Sequence, residues 1–265
     1  MATVHDVAQR RSNIATITAQ VGNCSVAELA SRFSVTPETI RRDLKVLEDQ
    51  DKIRRVHGGA VNARAHVDTL AVDDDDEVPI HQSQRRKQAI GLAALELITK
   101  PNASMFIDAG TTAEAFANVL ARNYLGQQWL IVTNSPNVAR TLASAGVQRL
   151  TMLGGIVKGR TQAVVGDIAV ATLQNLRADI AFMGTNELSI EGGLTTSDPR
   201  EAEVKRSMMQ AATTTVVLCE SSKIRPPRTP SFASLDSVDV VVTDRNAPAH
   251  FANQLNPYQI HMVIS

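Results

Sequence analysis

The amino-acid sequence predicts two folded units: an N-terminal winged helix-turn-helix, residues 1–60, and a C-terminal α/β domain with a mainly parallel sheet, residues 85–265. Two short amphipathic helical patterns, followed by a basic segment with a Gly-Gly pair, predict the first unit. Short apolar segments that alternate with helical patterns predict the second. Residues 61–84 lose this periodicity and are predicted to be a linker. A chain of 265 residues, 43% of them hydrophobic, is long enough to bury a core in each unit.

A helix that would brace the helix-turn-helix comes first in the chain. Its apolar residues share one face: Val4, Val7, Ile14 and Ile17. A second, short helix begins with a capping box, Ser25-Val26-Ala27-Glu28, and ends near Phe33. Only Ser34-Val35 separates it from the third helical pattern, which is the spacing of a helix-turn-helix.

The third helical pattern, residues 36–47, has the features of a DNA-recognition helix. Thr36 suits the N-cap, and Pro37 suits the first helical position because its missing N–H costs nothing there. One apolar stripe is formed by residues at i, i+4 and i+7: Ile40, Leu44 and Leu47. Side chains that include donors for phosphates and guanine edges fall mostly away from that stripe: Glu38, Thr39, Arg41, Arg42 and Lys45. Without its neighbours, an ordinary surface helix with a solvated basic side explains the pattern equally well.

The segment after this helix favours DNA binding. Residues 52–56 form a short basic strand that contains Arg54 and Arg55, and His57-Gly58-Gly59 then turns the chain. A basic β-wing of this kind can lie along a groove or along the phosphate backbone.

Two of these segments resemble the signature of the DeoR family of bacterial transcriptional regulators. They are Thr39-Ile40-Arg41-Arg42-Asp43-Leu44 and Arg55-Val56-His57-Gly58-Gly59-Ala60, and the resemblance extends from residue 10 to about residue 243. It implies that the N-terminal unit binds double-stranded operator DNA. The residues expected to contact DNA are Thr36, Glu38, Thr39, Arg41, Arg42, Lys45, Arg54, Arg55, His57, Gly58 and Gly59. Because one helix-turn-helix has a limited contact area, we expect a homo-oligomer, a dimer or a tetramer, on repeated half-sites.

The charge distribution agrees with a local DNA-binding face. The chain carries 27 basic and 27 acidic residues, so its net charge does not indicate a nucleic-acid partner. Residues 1–65, however, hold ten Lys and Arg against seven Asp and Glu, and the acidic run 73–77 falls in the predicted linker, where we expect a solvated tether. We therefore expect that the affinity for DNA falls steeply with salt.

Other classes of protein are disfavoured by what the sequence lacks. It has no run of about 18 apolar residues and no apolar signal region, so we expect no membrane partner and a cytoplasmic location. Cys24 and Cys219 are far apart and lack metal-ligand spacing. We expect two reduced structural thiols, no metal and no other cofactor.

From residue 85 onwards helices and strands alternate, and ligands of such sheets bind at the carboxyl ends of the strands. The predicted helices are residues 85–98, 112–122, 135–143, 166–173, 200–210 and 247–254. The predicted strands are residues 105–108, 130–133, 149–153, 180–183, 215–219, 238–243 and 261–264.

The first strand end reads Asp108-Ala109-Gly110-Thr111-Thr112 and enters a helix. The glycine lets backbone N–H groups converge, the threonines add hydroxyl donors, and the helix N-terminus adds partial positive charge. This turn therefore predicts a phosphate site, although it is neither a Walker A loop nor a Gly-x-Gly-x-x-Gly turn. A capped turn without a ligand explains so short a sequence equally well.

Three further strand ends carry polar or glycine-rich turns, which is more than turn chemistry requires. They are Asn134, Gly154-Gly155 and Gly184-Thr185-Asn186. The set resembles the DeoR-type effector domain, and this implies a ribose-5-phosphate isomerase-like fold that binds a phosphorylated sugar. The resemblance places Asp108, Gly110, Thr111 and Thr112 at the phosphate, with Asn134, Gly154 and Gly155 close by, and Gly184 and Asn186 on the same rim.

Charged residues are expected at the sugar end of the effector. The family pattern Glu-Ala-x-x-Lys fits Glu201 and Lys205, and Asp198 and Lys223 are further candidates. Because Glu201 and Lys205 are four residues apart, a surface ion pair within the helix is an equally good explanation. Lys223 follows Glu220, where the family usually has Asp, and residues 224–228 also depart from the family pattern.

These features together predict a DNA-binding repressor of carbohydrate uptake or metabolism genes whose operator affinity responds to a phosphorylated sugar. Residues 161–167 and 184–186 resemble actinobacterial repressors of sugar uptake. The alternative is a phosphosugar isomerase-like enzyme with an appended DNA-binding domain. That enzyme would need a general base such as Asp108, Asp198 or Glu201, and the sequence marks no acid–base pair.

Overall fold

The computed structural model describes residues 4–21, 23–50, 52–56, 59–62, 80–159 and 161–265. The chain divides into two compact units, residues 1–67 and 68–265, each with its own core. None of the helices in the described ranges combines the length and the apolar character that crossing a membrane requires.

The N-terminal unit contains three helices and a three-stranded antiparallel sheet. The helices are α1 (Val4–Val21), α2 (Val26–Phe33) and α3 (Pro37–Asp49), and the strands are β1 (Asn23–Ser25), β2 (Ile53–Val56) and β3 (Gly59–Asn62). The strands lie in the order β1-β3-β2. Two helices joined by a short turn and followed by a hairpin confirm the predicted winged helix-turn-helix.

The predicted cap and stripe hold this unit together. The Ser25 hydroxyl accepts from the Glu28 N–H at 3.1 Å, and the Glu28 carboxylate accepts from the Ser25 N–H at 3.0 Å, which completes the capping box. Ile40, Leu44 and Leu47 are buried against residues of the other two helices, among them Ile14 and Leu29. Burial of this apolar stripe is the main force that fixes the orientation of α3.

The C-terminal unit alternates strands and helices. Its elements are α4 (Ile80–Leu95), β4 (Ser104–Ile107), α5 (Thr111–Arg122), β5 (Leu130–Thr133), α6 (Pro136–Ser144), β6 (Leu150–Met152), β7 (Ile156–Val157), β8 (Val164–Val165), α7 (Asp167–Gln174), β9 (Ala178–Gly184), β10 (Leu188–Ser189), β11 (Gly193–Thr195), α8 (Pro199–Gln210), β12 (Ala212–Leu218), β13 (Ser231–Ala233), β14 (Val240–Thr243), α9 (Phe251–Leu255) and β15 (His261–Ile264).

Seven of these strands form one parallel sheet in the order β15-β14-β12-β9-β4-β5-β6. Successive residues of a strand point to opposite faces, and both faces are buried. Met105 and Ile107 pack with helices α4, α5 and α6, whereas Phe106 packs on the face covered by α7, α8 and α9. The predicted mainly parallel sheet is confirmed, and its strand ends form a single rim.

Helix α4 begins at Ile80, five residues before the predicted start at residue 85, and β3 continues to Asn62. Both elements reach into the predicted linker, residues 61–84. Residues 81–84 are polar and lack an apolar stripe, so the sequence gives no helical signal there. Ser83 is held instead by a hydrogen bond to Glu220 at 2.9 Å. Residues 63–79, with the acidic run, lie outside the described residues, and their role as a linker stays a prediction.

Short antiparallel strands were the elements that sequence periodicity missed. β7 pairs with β8, and β10, β11 and β13 form a small sheet in the order β10-β11-β13. Strands of two or three residues are too short to display an alternation of apolar and polar side chains. The last predicted helix, 247–254, is also shorter and shifted, since α9 covers only Phe251–Leu255.

Candidate DNA-binding face and effector site

Helix α3 presents its cations to solvent. The Thr36 hydroxyl accepts from the Thr39 N–H at 3.3 Å and so begins the helix, with Pro37 in its first turn. Arg41, Arg42 and Lys45 are all exposed, on the side away from the buried stripe. The structure therefore leaves the three basic side chains accessible to a nucleic acid.

An exposed ion pair links two of the predicted DNA-contacting residues. Arg41 Nη1 lies 3.2 Å from Glu38 Oε2, and both side chains are more than half exposed. Such a pair contributes about 0 to 1 kcal/mol to stability. The arginine can therefore exchange this partner for a DNA phosphate at little cost.

A buried carboxylate fixes α3 against α1, and the sequence did not reveal it. Asp43 is 2% exposed, and its two oxygens each accept a hydrogen bond at 2.7 Å, one from Arg10 Nε and one from Arg11 Nε. The acidic residue within the family signature is thus a packing residue. The signal in the sequence for this packing role would have been one acidic residue within the otherwise basic stretch Arg41-Arg42-Asp43-Leu44-Lys45.

The wing is present as the β2–β3 hairpin. Gly59 is buried, and a Cβ on it would lie 2.2 Å from the Cys24 carbonyl oxygen, so this glycine allows β3 to approach β1. Its place in the structure is one of packing rather than of exposure to DNA. Described residues include the backbone of Arg54 and Arg55 but not their side chains, and His57 and Gly58 lie outside them.

Asp108 and Lys205 form a buried ion pair at the center of the rim. Asp108 Oδ2 contacts Lys205 Nζ, and it also accepts from the Gly184 N–H at 3.0 Å. Lys205 Nζ donates in addition to the Gly184 carbonyl oxygen at 3.0 Å and lies 5.5 Å from the Phe232 ring centroid. Three of the predicted site residues, from β4, β9 and α8, therefore meet at one point.

The turn after β4 leaves room for a ligand. Gly110 has a φ of 136°, which favours glycine, and a Cβ there would have no described atom within 4 Å. Gly110 is the N-cap of α5 and makes no side-chain cap, while Thr111 is half-buried and Thr112 is buried. The open space beside a helix N-terminus suits a phosphate.

Two buried acceptors on neighbouring strands have no hydrogen-bond partner among the described residues. They are Asp108 Oδ1 and Asn134 Oδ1, and both residues are 1% exposed. Asn134 is fixed from its other side, because its backbone carbonyl accepts from the Val164 N–H at 2.7 Å. A buried acceptor without a donor costs free energy, which indicates a place for ligand hydroxyl groups.

The predicted glycines after β6 serve the hairpin β7–β8. Gly155 has a φ of 146°, and a Cβ on it would lie 2.5 Å from the Val165 carbonyl oxygen. Gly154 and Gly155 are both exposed. Asn186 donates its backbone N–H to the Thr195 carbonyl oxygen at 2.9 Å, which ties the turn after β9 to β11.

Glu201 does not pair with Lys205, so the surface ion pair considered for this helix is not formed. Glu201 accepts from the Thr161 hydroxyl at 2.6 Å, and Asp198 caps α8 and contacts Lys158 Nζ. The Lys158 ammonium lowers the pKa of Asp198. These two contacts hold the loop between β7 and β8 against the start of α8, and sequence reasoning missed both Lys158 and Thr161.

Lys223 lies in the short helical turn after β12, at the same rim. Its Nζ donates to the Thr185 carbonyl oxygen at 3.1 Å, and burial lowers the pKa of this amine. Burial disfavours the charged form of an amine, and a bound anion would favour it.

Comparisons with known proteins cover both units. A family model described as the DeoR-like helix-turn-helix domain matches residues 10–65, and one described as the DeoR C terminal sensor domain matches residues 82–245. The glycerol-3-phosphate regulon repressor of Escherichia coli K12 is 31% identical over 96% of this chain and 97% of its own. The transcriptional regulator GlpR of Haloferax volcanii is 32% identical over 97% of both chains. The putative aga operon transcriptional repressor of Escherichia coli O157:H7 is 28% identical over 98% and 95%.

Solved structures give weaker likenesses. A probable sor operon regulator from Shigella flexneri has a TM-score of 0.44 at 13% identity, over 69% of this chain and 90% of that one. Ribose 5-phosphate isomerase A from Neisseria gonorrhoeae has a TM-score of 0.40 at 15% identity, over 55% of each chain. The family assignment depends on the sequence matches alone. With a sensor-domain match over more than half of its length and a helix-turn-helix match before it, this chain belongs to the DeoR family of DNA-binding transcriptional regulators.

Proposed function

We propose that this regulator represses carbohydrate uptake or metabolism genes and that a phosphorylated sugar or polyol, bound at the rim of the sheet, weakens its hold on operator DNA. The observation that carries the effector half is the juxtaposition of Lys205, the open turn at Gly110 and two acceptors that have no hydrogen-bond partner among the described residues, Asp108 Oδ1 and Asn134 Oδ1. The proposed repression through operator DNA is supported by relatives that match nearly the full length of this chain and are named repressors.

The rim offers complementary chemistry to the two parts of such an effector. Cationic side chains and a helix N-terminus favour a phosphate, and unpartnered carboxylate and amide oxygens need hydroxyl donors. A polyol phosphate carries both groups on one small skeleton. Inorganic phosphate has no such carbon skeleton of hydroxyl groups, so it would satisfy the anion half only.

Oligomerisation is part of the proposal. A single α3 covers only a few base pairs, so we infer that two or more copies read half-sites about 34 to 36 Å apart, or multiples of this distance. The DNA-contacting set proposed for each copy is centred on Arg41, Arg42 and Lys45, which are exposed. As a DNA-binding regulator it would act in the cytoplasm.

A thermal-shift screen followed by gel-shift titration tests both halves. Glycerol 3-phosphate, ribose 5-phosphate, glucose 6-phosphate and galactosamine 6-phosphate would be compared with their unphosphorylated parents, because a ligand that binds only the native state raises its melting temperature. A compound that raises it should weaken operator binding about 5 to 150-fold. If no phosphorylated compound changes either quantity, the effector half of the proposal fails.

The isomerase alternative gains no specific support from the rim. Among the described residues, the carboxylates named as candidate bases are engaged: Asp108 by Lys205, Asp198 by Lys158 and Glu201 by Thr161. A general base must reach a substrate proton in its ionised form. If the protein converts pentose or hexose phosphates and Glu201→Gln abolishes this turnover, the isomerase alternative would be favoured over the regulator.

A further inference from the structure

The first turns of α4 are attached to the ligand rim by one buried carboxylate. Glu220 is 5% exposed and lies two residues after the end of β12. Its Oε1 accepts from Ser83 Oγ at 2.9 Å, and its Oε2 lies 3.6 Å from Lys87 Nζ. Residues 83 and 87 are one helical turn apart, so both contacts come from the same face of α4.

The same carboxylate adjoins the effector site. The turn after Glu220 carries Lys223, whose N–H donates to the Glu220 carbonyl oxygen at 2.9 Å. Lys223 also lies within electrostatic range of Lys87 and of Lys205, the partner of Asp108. The attachment of α4 and the predicted effector residues therefore belong to one cluster of charges.

Lys223 is the cation of this cluster that has no ion pair among the described residues. Lys205 pairs with Asp108 and Lys87 with Glu220, whereas a third buried carboxylate, Asp244, accepts from the N–H and the hydroxyl of Ser221. The Nζ of Lys223 donates instead to a backbone carbonyl. A buried ammonium without a counter-ion is costly until an anion enters, so the cluster is suited to bind a phosphate dianion.

We propose that Lys87 is an effector-binding residue, shared between Glu220 and the phosphate of the effector, and that phosphate binding loosens the attachment of α4 to the rim. The inference rests on the proposed function, because it takes the effector to be a phosphate ester. A phosphate oxygen and the Glu220 carboxylate need the same cation, and charge-assisted hydrogen bonds to phosphate are strong. When Lys87 turns to the phosphate, the contact of Glu220 with α4 that remains among those described is the hydrogen bond from the Ser83 hydroxyl.

Helix α4 is well placed to report this change. It is the first described element after residues 63–79, which connect the helix-turn-helix unit to the sensor unit. Loosening of its first turns alters the segment through which the two units are covalently joined. This gives the effector a physical route to the DNA-binding unit without any change in the sheet itself.

Hydrogen–deuterium exchange of residues 80–90 in the full chain tests the attachment, with inorganic phosphate as the probe and sodium chloride of matched ionic strength as its control. We expect phosphate to speed exchange in wild type. Glu220→Gln should show fast exchange without phosphate and no further response. Lys87→Met should weaken phosphate binding about tenfold, since one charge-assisted hydrogen bond is lost, whereas Lys87→Arg should retain it.

Lys100→Met is the matched control, because Lys100 pairs with Asp179 at the opposite end of the strands and should change neither quantity. Phosphate binding that leaves the exchange of residues 80–90 unchanged, or slows it, overturns this inference while the proposed function stands. Equal phosphate affinity in Lys87→Met and wild type also overturns it. If neither phosphate nor any phosphate ester of the screen binds, the proposed function falls as well.

Discussion

Asp43 shows how one residue of the family signature serves the fold rather than the DNA. Its carboxylate is buried between the side chains of Arg10 and Arg11, so it joins α1 to the helix that carries the exposed arginines. Arg10 is itself only 12% exposed. Loss of the carboxylate would leave a largely buried guanidinium without its anion, which is more costly than loss of an exposed pair.

We expect Asp43→Ala to lower the free energy of unfolding of the N-terminal unit by about 3 kcal/mol. Urea denaturation followed by circular dichroism would measure this. Glu38→Ala is the matched control, because it removes an exposed ion pair of the same helix and should cost less than about 1 kcal/mol. Equal effects of the two substitutions would contradict the role assigned to Asp43.

The two cysteine thiols are expected to be unreactive in the native protein. Burial raises the pKa of Cys219 to about 12 and also raises that of Cys24, so neither is a thiolate at pH 8. Ellman's reagent at pH 8 should therefore react slowly with the native protein and should titrate both thiols after denaturation in guanidinium. Rapid reaction of either thiol in the native protein would show that it is accessible.

Among the elements, the hairpin β7–β8 is the one that the sequence did not predict and that the site needs. It begins after Gly155, and its loop is fastened to α8 by Lys158 and Thr161. The second strand also holds the backbone of Asn134. The hairpin therefore keeps Asn134 and the start of α8 in place beside the rim.

Gly155→Ala should disrupt this hairpin and weaken effector binding at least tenfold. The added Cβ would face the Val165 carbonyl oxygen at 2.5 Å, at a φ of 146° that alanine rarely adopts. Gly159→Ala in the loop of the same hairpin is the control, since a Cβ there meets no atom of the described residues within 4 Å. Isothermal titration of both variants with the screened effector would decide, and equal affinities would refute the role of the hairpin.

Helices and long strands were predictable from the sequence, but the contacts of the site were not. Apolar periodicity and caps such as Thr36 depend on residues close in sequence, so α3, β5 and β15 could be located within a residue or two. The pair of Lys205 with Asp108 joins residues 97 positions apart, and that of Ser83 with Glu220 joins residues 137 apart. Such partners are chosen by the order of strands in the sheet, which no local pattern specifies.

At the scale of the whole molecule, regulation requires that two separately folded units bind different ligands and yet influence one another. Each unit has its own buried core, so a substitution on the surface of one should leave the binding chemistry of the other intact. The effector binds two states of the protein, one that holds DNA well and one that holds it poorly. It can change the affinity for DNA only by as much as its own affinities for these two states differ.

Reciprocal substitutions test this separation. If Arg42 contacts a base, Arg42→Ala should weaken operator binding by about 1 to 3 kcal/mol. If it contacts a phosphate, the substitution should reduce the slope of operator affinity against salt concentration by about one. In either case the affinity for the effector should stay unchanged. Thr111→Val removes a hydroxyl donor at the α5 turn and should weaken effector binding while operator affinity without effector stays the same. Fluorescence anisotropy with labelled operator across a salt series measures the operator affinity of both variants, and calorimetry measures their affinity for the effector. Loss of both affinities from either substitution would contradict separable sites, because the side chain concerned would then have to support both units.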